Sequence, residues 1–150
     1  MSTFYVDTSA LAKRYLKETG SAWVLSWIEP PFGNIIVVAE LASVEMFSLM
    51  TRRQREGTLS PANAKTLEAD FLLHNQKEYL VVPLESAILV QARALINKHP
   101  LRALDAIQLA SALQAVALLN ERITFVSADN NLLTAASAEG FAVDNPLTHP

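Results

Sequence analysis

Short runs of β-branched and aromatic residues alternate with longer helix-like segments, and this alternation constrains the fold more than any other feature. Five runs are predicted to be strands: residues 3–7, 34–38, 79–84, 123–128 and 141–143. Seven segments are predicted to be helices: Thr8 to Glu18, Ser21 to Glu29, Glu40 to Glu56, Ser60 to about Glu78, Glu85 to Lys98, Leu104 to Glu121 and Asn131 to Glu139. Strands that alternate with helices build a parallel sheet covered on both faces. We therefore expect an α/β protein, a three-layer α/β/α sandwich with a central, mostly parallel sheet.

The composition fits one folded domain over residues 1–150. The chain is long enough to bury a substantial core, and 51% of its residues are apolar, with a mean hydropathy of +0.21. The absence of cysteine excludes disulfides, thiolate catalysis and cysteine-based zinc sites. The start of the chain lacks a secretory signal pattern, and the longest apolar stretch, 103–119, is too polar for a membrane span. We expect a cytoplasmic protein with no membrane partner.

The chain is weakly acidic, with a net charge of -3 and a pI of about 5.6. Proteins that hold nucleic acid by bulk charge are usually basic, so no long electrostatic footprint is expected. A bound metal ion inverts the sign of the charge at its own site, so the acidic balance is compatible with a nuclease.

Four acidic residues lie in apolar surroundings, where a carboxylate is costly to bury unless a positive group meets it. Asp7 and Asp129 each follow a predicted strand. Because ligands of parallel sheets bind at the carboxyl ends of strands, both side chains are expected in one crevice. Asp105, which we expect to be the most buried of the four, opens a long apolar run, and Glu45 lies on the apolar stripe in the middle of a predicted helix.

Each acid also has a structural explanation. Asp7 and Asp129 are equally well placed to cap the helices that follow them, and Asp105 can cap a helix that starts near Leu104. No cap explains a glutamate in the middle of a helix, so the alternative for Glu45 is a buried ion pair. A cluster of four carboxylates explains the set together, because Mg²⁺ and Mn²⁺ take oxygen ligands, activate water and bridge a phosphodiester.

Two serines lie close in sequence to these acids. The hydroxyl groups of Ser9 and Ser127 are candidates for holding Asp7 and Asp129, or a water molecule, in place. Serine is also a common turn and cap residue, which is the structural alternative.

The four acids lie in segments that resemble the acidic motifs of the PIN-domain family, and more narrowly of VapC-type toxins of type II toxin–antitoxin pairs. The segments, in order, are residues 6–11 (VDTSAL), 43–45 (SVE), 101–110 (LRALDAIQLA) and 125–129 (FVSAD). The resemblance implies a ribonuclease dependent on Mg²⁺ or Mn²⁺, with Asp7, Glu45, Asp105 and Asp129 as metal ligands. It also implies an RNA substrate, an inhibitory antitoxin partner and, we expect, a homodimer.

The chain departs from the family pattern after the last acid. The family often has a basic residue there, whereas this chain has Asn130 and Asn131, which bears on phosphate binding by that loop. Glu40 competes with Glu45 for the second acidic position. We prefer Glu45 because it lies further into the predicted helix and because Ser-Val-Glu matches the motif better.

Other features have weaker functional interpretations. Lys13, Arg14 and Lys17 on the first helix are candidates for guiding RNA, with a solvated helix face as the structural alternative. Trp23 and Trp27 are expected in the core or at an interface, with an exposed partner surface as the functional interpretation. The arginines at 52, 53 and 55 fit favourable charge at a helix end, or a phosphate-contacting patch.

The sequence argues against two other classes of function. A catalytically inactive domain of the same fold would only bind RNA or protein, and the presence of all four acids argues against it. A phosphotransfer receiver needs an acid at the end of a central strand, and Val81-Val82-Pro83-Leu84 offers none.

Overall fold

The predicted alternation of strands and helices is present in the computed structural model of the protein, which describes residues 1–150. The five strands are β1 (Thr3–Val6), β2 (Ile35–Ala39), β3 (Leu80–Val82), β4 (Thr124–Val126) and β5 (Ala142–Asp144). The seven α-helices are α1 (Thr8–Tyr15), α2 (Ser21–Ile28), α3 (Ala42–Arg55), α4 (Pro61–Lys77), α5 (Ser86–Lys98), α6 (Ala103–Leu119) and α7 (Asn130–Ala138). Two short 3₁₀ helices, Pro30–Phe32 and Pro146–Thr148, were not predicted.

The strands form one sheet in the order β3-β2-β1-β4-β5, and every neighbouring pair is parallel. Successive residues of a strand point to opposite faces, so each strand supplies both sides of the sheet. Tyr5 and Val37 pack in the core beneath α5, α6 and α7, whereas Val6 and Val38 pack in the core beneath α1 to α4. The expected three-layer α/β/α sandwich is confirmed.

The order of the strands positions the site. The chain leaves the central strand β1 toward β2 on one side and later returns to β4 on the other side. A crevice opens at such a switch point, at the carboxyl ends of the strands. No single helix is both long and apolar enough to cross a membrane.

One predicted helix start is wrong, and it changes the setting of a candidate residue. Helix α3 begins at Ala42 and not at Glu40, so Glu45 lies in its first turn and not in its middle. The Glu40 amide donates to the Val82 carbonyl, which extends the pairing of β2 with β3 one residue further. Helical backbone therefore starts only after Glu40.

Helix α1 is shorter than predicted. It ends at Tyr15 instead of Glu18, because Leu16 has extended backbone (φ -112°, ψ 125°). The chain then turns at Gly20, whose φ is +90° and where a Cβ atom would lie 2.5 Å from the Pro146 carbonyl oxygen. Only glycine fits that turn.

Candidate active site

A cleft of about 520 Å³ opens at the carboxyl ends of the central strands, and all four predicted acids line it. Asp7 and Asp129 lie in the β1–α1 and β4–α7 connections, and Glu45 and Asp105 lie in the first turns of α3 and α6. The fold therefore brings together residues more than a hundred positions apart in the sequence.

Each acid lies at a helix N-terminus, where the helix dipole favours negative charge. The predicted capping roles are confirmed for Asp7, which accepts from the Ala10 amide at 3.0 Å, and for Asp129, which accepts from the Asn131 amide at 2.9 Å. The cap prediction is wrong for Asp105, because the N-cap position of α6 is Arg102 and Asp105 is in the first turn. Capping explains single positions but not the meeting of four acids in one cleft.

Asp7 is the most buried acid of the cleft, with 5% of its surface exposed. The expectation that Asp105 is the most buried is wrong, since its side chain is 22% exposed. Burial raises the pKa of Asp7 from 3.8 to about 6, and the charge of Glu45 adds to the rise, although hydrogen bonds from Ser127, Ser9 and Ala10 oppose it.

Ser9 and Ser127 both donate to Asp7, one to each carboxylate oxygen. Ser9 Oγ lies 2.7 Å from Oδ1, and Ser127 Oγ lies 2.6 Å from Oδ2. The same two hydroxyl oxygens accept backbone amides of the β4–α7 connection, from Ala128 at 2.9 Å and from Asp129 at 3.0 Å. The serines thus tie the first and last acidic segments together.

Glu45 is held through one oxygen by two neutral donors. Its Oε1 accepts from Thr8 Oγ1 at 2.8 Å and from Gln108 Nε2 at 2.7 Å, and Gln108 Oε1 in turn accepts from the Tyr5 hydroxyl. No site role was predicted for Thr8 or Gln108. A signal was present for Gln108, because it follows Asp105 by three positions and so shares its helix face.

The cleft is short of positive charge. Arg102 Nε lies 3.7 Å from Asp105 Oδ2, but the Arg102 side chain is 88% exposed, and Arg52, which also lines the cleft, is exposed as well. The pKa of Asp105 is raised by burial and by the charges of Asp129 and Glu45, and Arg102 offsets part of the rise. Carboxylates therefore repel one another here with little compensation.

The chemistry of the donor set fits a hard divalent cation, since every candidate ligand is a carboxylate oxygen and the only cation paired with any of the four acids is the exposed Arg102 beside Asp105. No three acidic or histidine side chains are grouped closely enough to ligate one ion directly. The rival Glu40 is not part of the cleft: it is exposed and its Oε1 accepts from the Leu84 amide at 2.8 Å.

Two of the three basic residues predicted to guide RNA, Lys13 and Arg14, are engaged in ion pairs, whereas Lys17 lies beyond the end of α1 and is exposed. Lys13 is buried and lies 3.0 Å from Glu18, and the Arg14 side chain, 8% exposed, lies 2.7 Å from both Glu78 Oε2 and the Tyr79 hydroxyl. Both serve structural ion pairs, because burial of an unpaired cation would be costly.

The structure decides between the core and the exposed partner surface that were expected for the two tryptophans. Trp27 is buried and stacks on Phe4, with ring centroids 4.4 Å apart. Trp23 is half-buried and stacks on His149 at 4.1 Å. Trp27 therefore belongs to the core, and neither ring is a free partner surface.

The sequence profile of the PIN domain matches residues 4–137, and the chain belongs to the PIN-domain family. Among characterised relatives, it is 29% identical over 144 residues to a protein of Mycobacterium tuberculosis named Ribonuclease VapC47, covering 95% of this chain and 96% of that protein. The family predicted from the four acidic segments is thereby confirmed.

Solved structures share the fold at lower identity. VapBC-1 of nontypeable Haemophilus influenzae has a TM-score of 0.59 at 13% identity, covering 96% of this chain and 98% of its own. A toxin–antitoxin complex of Klebsiella pneumoniae has a TM-score of 0.57 at 17% identity, covering 95% and 97%. FitAcB of Neisseria gonorrhoeae has a TM-score of 0.60 at 13% identity, also covering 95% and 97%.

Proposed function

We propose that the protein is an endoribonuclease dependent on Mg²⁺ or Mn²⁺ and the toxin of a toxin–antitoxin pair. The observation that carries the proposal is the meeting of four acids in a cleft with no buried cation to neutralise them. A structural role alone does not account for it, because stable folds pair or neutralise buried charge. The similarity to a protein named as a ribonuclease, along nearly the whole chain, supports the same activity.

In this proposal Asp7, Glu45, Asp105 and Asp129 hold the cation, some of them through bound water, because no three of these side chains are grouped closely enough to ligate one ion directly. When bound, the cation supplies positive charge that activates water and neutralises charge on the phosphodiester in the transition state. Ser9 and Ser127 keep Asp7 in a fixed orientation, as their bonds to both of its oxygens indicate.

The rim of the cleft is suited to binding the RNA backbone. Arg52 and Arg102 are exposed and lie on the wall of the cleft. Their guanidinium groups would contact phosphates on either side of the scissile bond. Asn130 does not replace a basic residue, because its side-chain oxygen accepts from Asn145 at 2.9 Å.

An antitoxin partner and a homodimer complete the proposal. The structurally similar Klebsiella pneumoniae protein was solved as a toxin–antitoxin complex. In this chain the rim of the cleft includes two exposed apolar side chains, Val44 (68% exposed) and Leu104 (48% exposed). We expect an antitoxin segment to cover this rim and to place an arginine or lysine among the acids, in the cytoplasm of the host. Purification from the host and light scattering check this: a monomer without a small partner would contradict it.

The alternative is a catalytically inactive PIN domain that only binds RNA or protein. Incubation of purified protein with mixed RNA in Mg²⁺, in Mn²⁺ and in EDTA separates the two. We expect cleavage only with metal, and none from Asp105→Asn. In thermal melts, millimolar Mg²⁺ should raise the Tm of the wild type by mass action and that of Asp105→Asn distinctly less. Binding without cleavage, and an unchanged Tm with metal, would favour the inactive module.

A further inference from the structure

Gln108 connects the core of the molecule to the cleft. It is 3% exposed on α6, among apolar residues of one core. Its Oε1 accepts from the fully buried Tyr5 hydroxyl, and its Nε2 donates to Glu45 Oε1 at 2.7 Å and lies 3.2 Å from Thr8 Oγ1. Burying a side-chain amide is costly unless it has hydrogen-bond partners, and here Tyr5, Thr8 and Glu45 supply them.

The two ends of this amide are not interchangeable. If the amide were reversed, its carbonyl oxygen would face a carboxylate oxygen of Glu45, and both atoms only accept hydrogen bonds. The NH₂ group must therefore point at Glu45, which leaves the carbonyl oxygen for Tyr5. The relay Tyr5–Gln108–Glu45 fixes the orientation of all three side chains.

The two carboxylate oxygens of Glu45 differ in their hydrogen bonding. Glu45 Oε1 is occupied by two donors, from Gln108 and Thr8, whereas Oε2 accepts no hydrogen bond from the protein. We propose that Gln108 is a positioning residue for Glu45, holding Oε1 so that Oε2 is the atom presented to the cation. This inference rests on the proposed function, because it assigns a purpose to Glu45 as a metal ligand.

The experiment is Mn²⁺ binding by isothermal titration calorimetry on Gln108→Met. Methionine keeps the length of the side chain and its packing but removes both polar ends. Outer-shell partners of metal ligands contribute roughly 10–100-fold in affinity, and a loss of that size is expected. Gln114→Met is the matched control, since Gln114 is on the same helix, is half-buried and makes no side-chain hydrogen bond. Its Mn²⁺ affinity should equal that of the wild type.

A double-mutant cycle separates positioning from a general structural role. If Gln108 acts through Glu45, Gln108→Met should have no further effect on Mn²⁺ affinity in a Glu45→Gln background. A Gln108→Met protein that melts at a lower temperature but binds Mn²⁺ like the wild type would overturn the proposal. If Gln108→Met does not fold, Tyr5→Phe serves in its place, with a smaller loss expected and wild-type affinity as the overturning result.

The calorimetry measures Mn²⁺ binding and not RNA cleavage, so it tests the role of Gln108 separately from the proposed function. A wild-type protein that binds Mn²⁺ but does not cleave RNA would contradict the proposed function, while the comparison of affinities would still decide the role of Gln108. A wild-type protein that does not bind Mn²⁺ would overturn both.

Discussion

Helix α1 joins two polar regions that treat charge in opposite ways. At its start lies the acidic cleft, where four carboxylates meet and neutral groups such as Ser9 and Ser127 supply the hydrogen bonds. At its end lies an ion-pair cluster formed by Lys13, Arg14, Tyr15, Glu18, Arg53, His74, Glu78 and Tyr79. In that cluster Lys13, Arg14 and Arg53 each have an acidic partner within 3.1 Å, and His74 Nε2 lies 3.8 Å from Glu78 Oε1.

The contrast shows what burial demands and what function requires. Each charged group of the ion-pair cluster has a partner of opposite charge within the cluster, so the cluster needs no ligand. The cleft orients its carboxylates with serine, threonine and amide groups, which fix geometry without cancelling charge. A region that is geometrically ordered but electrostatically unsatisfied is prepared for an external cation.

The largest expected effect is on catalysis, and it tests the cleft side of the comparison. Asp7→Asn should lower RNA cleavage by at least roughly 100-fold, because it removes charge that holds the cation and stabilises the transition state. Asparagine caps helices as well as aspartate does, so the far-UV circular dichroism spectrum should not change. Cleavage of a labelled RNA at saturating Mg²⁺ measures the effect.

Glu45→Gln and Glu40→Gln form the matched pair for this prediction, since only Glu45 lines the cleft. We expect a loss of cleavage from Glu45→Gln and near wild-type activity from Glu40→Gln. The reverse order would move the site out of the cleft, and wild-type activity in Asp7→Asn would remove Asp7 from it.

The next effect is on stability and tests the ion-pair cluster. Arg14→Met should destabilise the fold by about 3 kcal/mol, because it leaves Glu78 without its partner. The kcat of the folded fraction should stay unchanged, since Arg14 is absent from the cleft. Urea denaturation measures the free energy of unfolding, with Lys17→Met, an exposed residue without an ion pair, as control. Equal free energies of unfolding for Arg14→Met and Lys17→Met would show that the ion pair of Arg14 with Glu78 does not stabilise the fold.

The two regions should also respond to pH in opposite directions. The folded-state pKa of Asp7 is raised from 3.8 to about 6, so its stabilisation is present below pH 4 and is lost as pH rises through 6 in metal-free protein. The full shift corresponds to about 3 kcal/mol. Burial and Arg14 lower the pKa of His74 below 6.5, so protonation of His74 destabilises the fold as pH falls below that value.

Melting curves in EDTA across pH 4 to 7 measure this contrast. Asp7→Asn should remove the loss of stability with rising pH and should be more stable than the wild type at pH 7. His74→Gln should remove the opposite slope. A metal-free wild type that becomes steadily more stable up to pH 7, with Asp7→Asn less stable than it, would mean that Asp7 is a structural residue first.

The smallest effect concerns the rim. Arg52→Met should raise the KM for RNA and lower the salt slope of binding by about 1, as expected for one lost phosphate contact, with kcat nearly unchanged. Arg55→Met, exposed on the same helix but outside the cleft, is the control. Identical salt slopes for the two variants would exclude Arg52 from the RNA path.

The fold and the four acids could be predicted because their signals are local. Strand and helix periods are readable within a few residues, and a carboxylate at the end of an apolar run stands out by its cost. Partners distant in sequence leave no such signal. Arg14 was predicted to be a candidate for guiding RNA because its partners Glu78 and Tyr79 lie more than sixty positions away and leave no local signal. The start of α3 was misplaced because the bond of Glu40 to Val82 is tertiary.

The central position of β1 in the sheet has a consequence for folding during synthesis on the ribosome. Tyr5 of β1 pairs with Phe125 of β4, so the sheet is complete only when residues far apart in the sequence have come into contact. Asp7 can accept the hydrogen bond from the Ser127 hydroxyl only after nearly the whole chain has been synthesised. A nascent or prematurely terminated chain therefore carries the first acid without its neighbours, and the cleft is assembled among the last parts of the molecule.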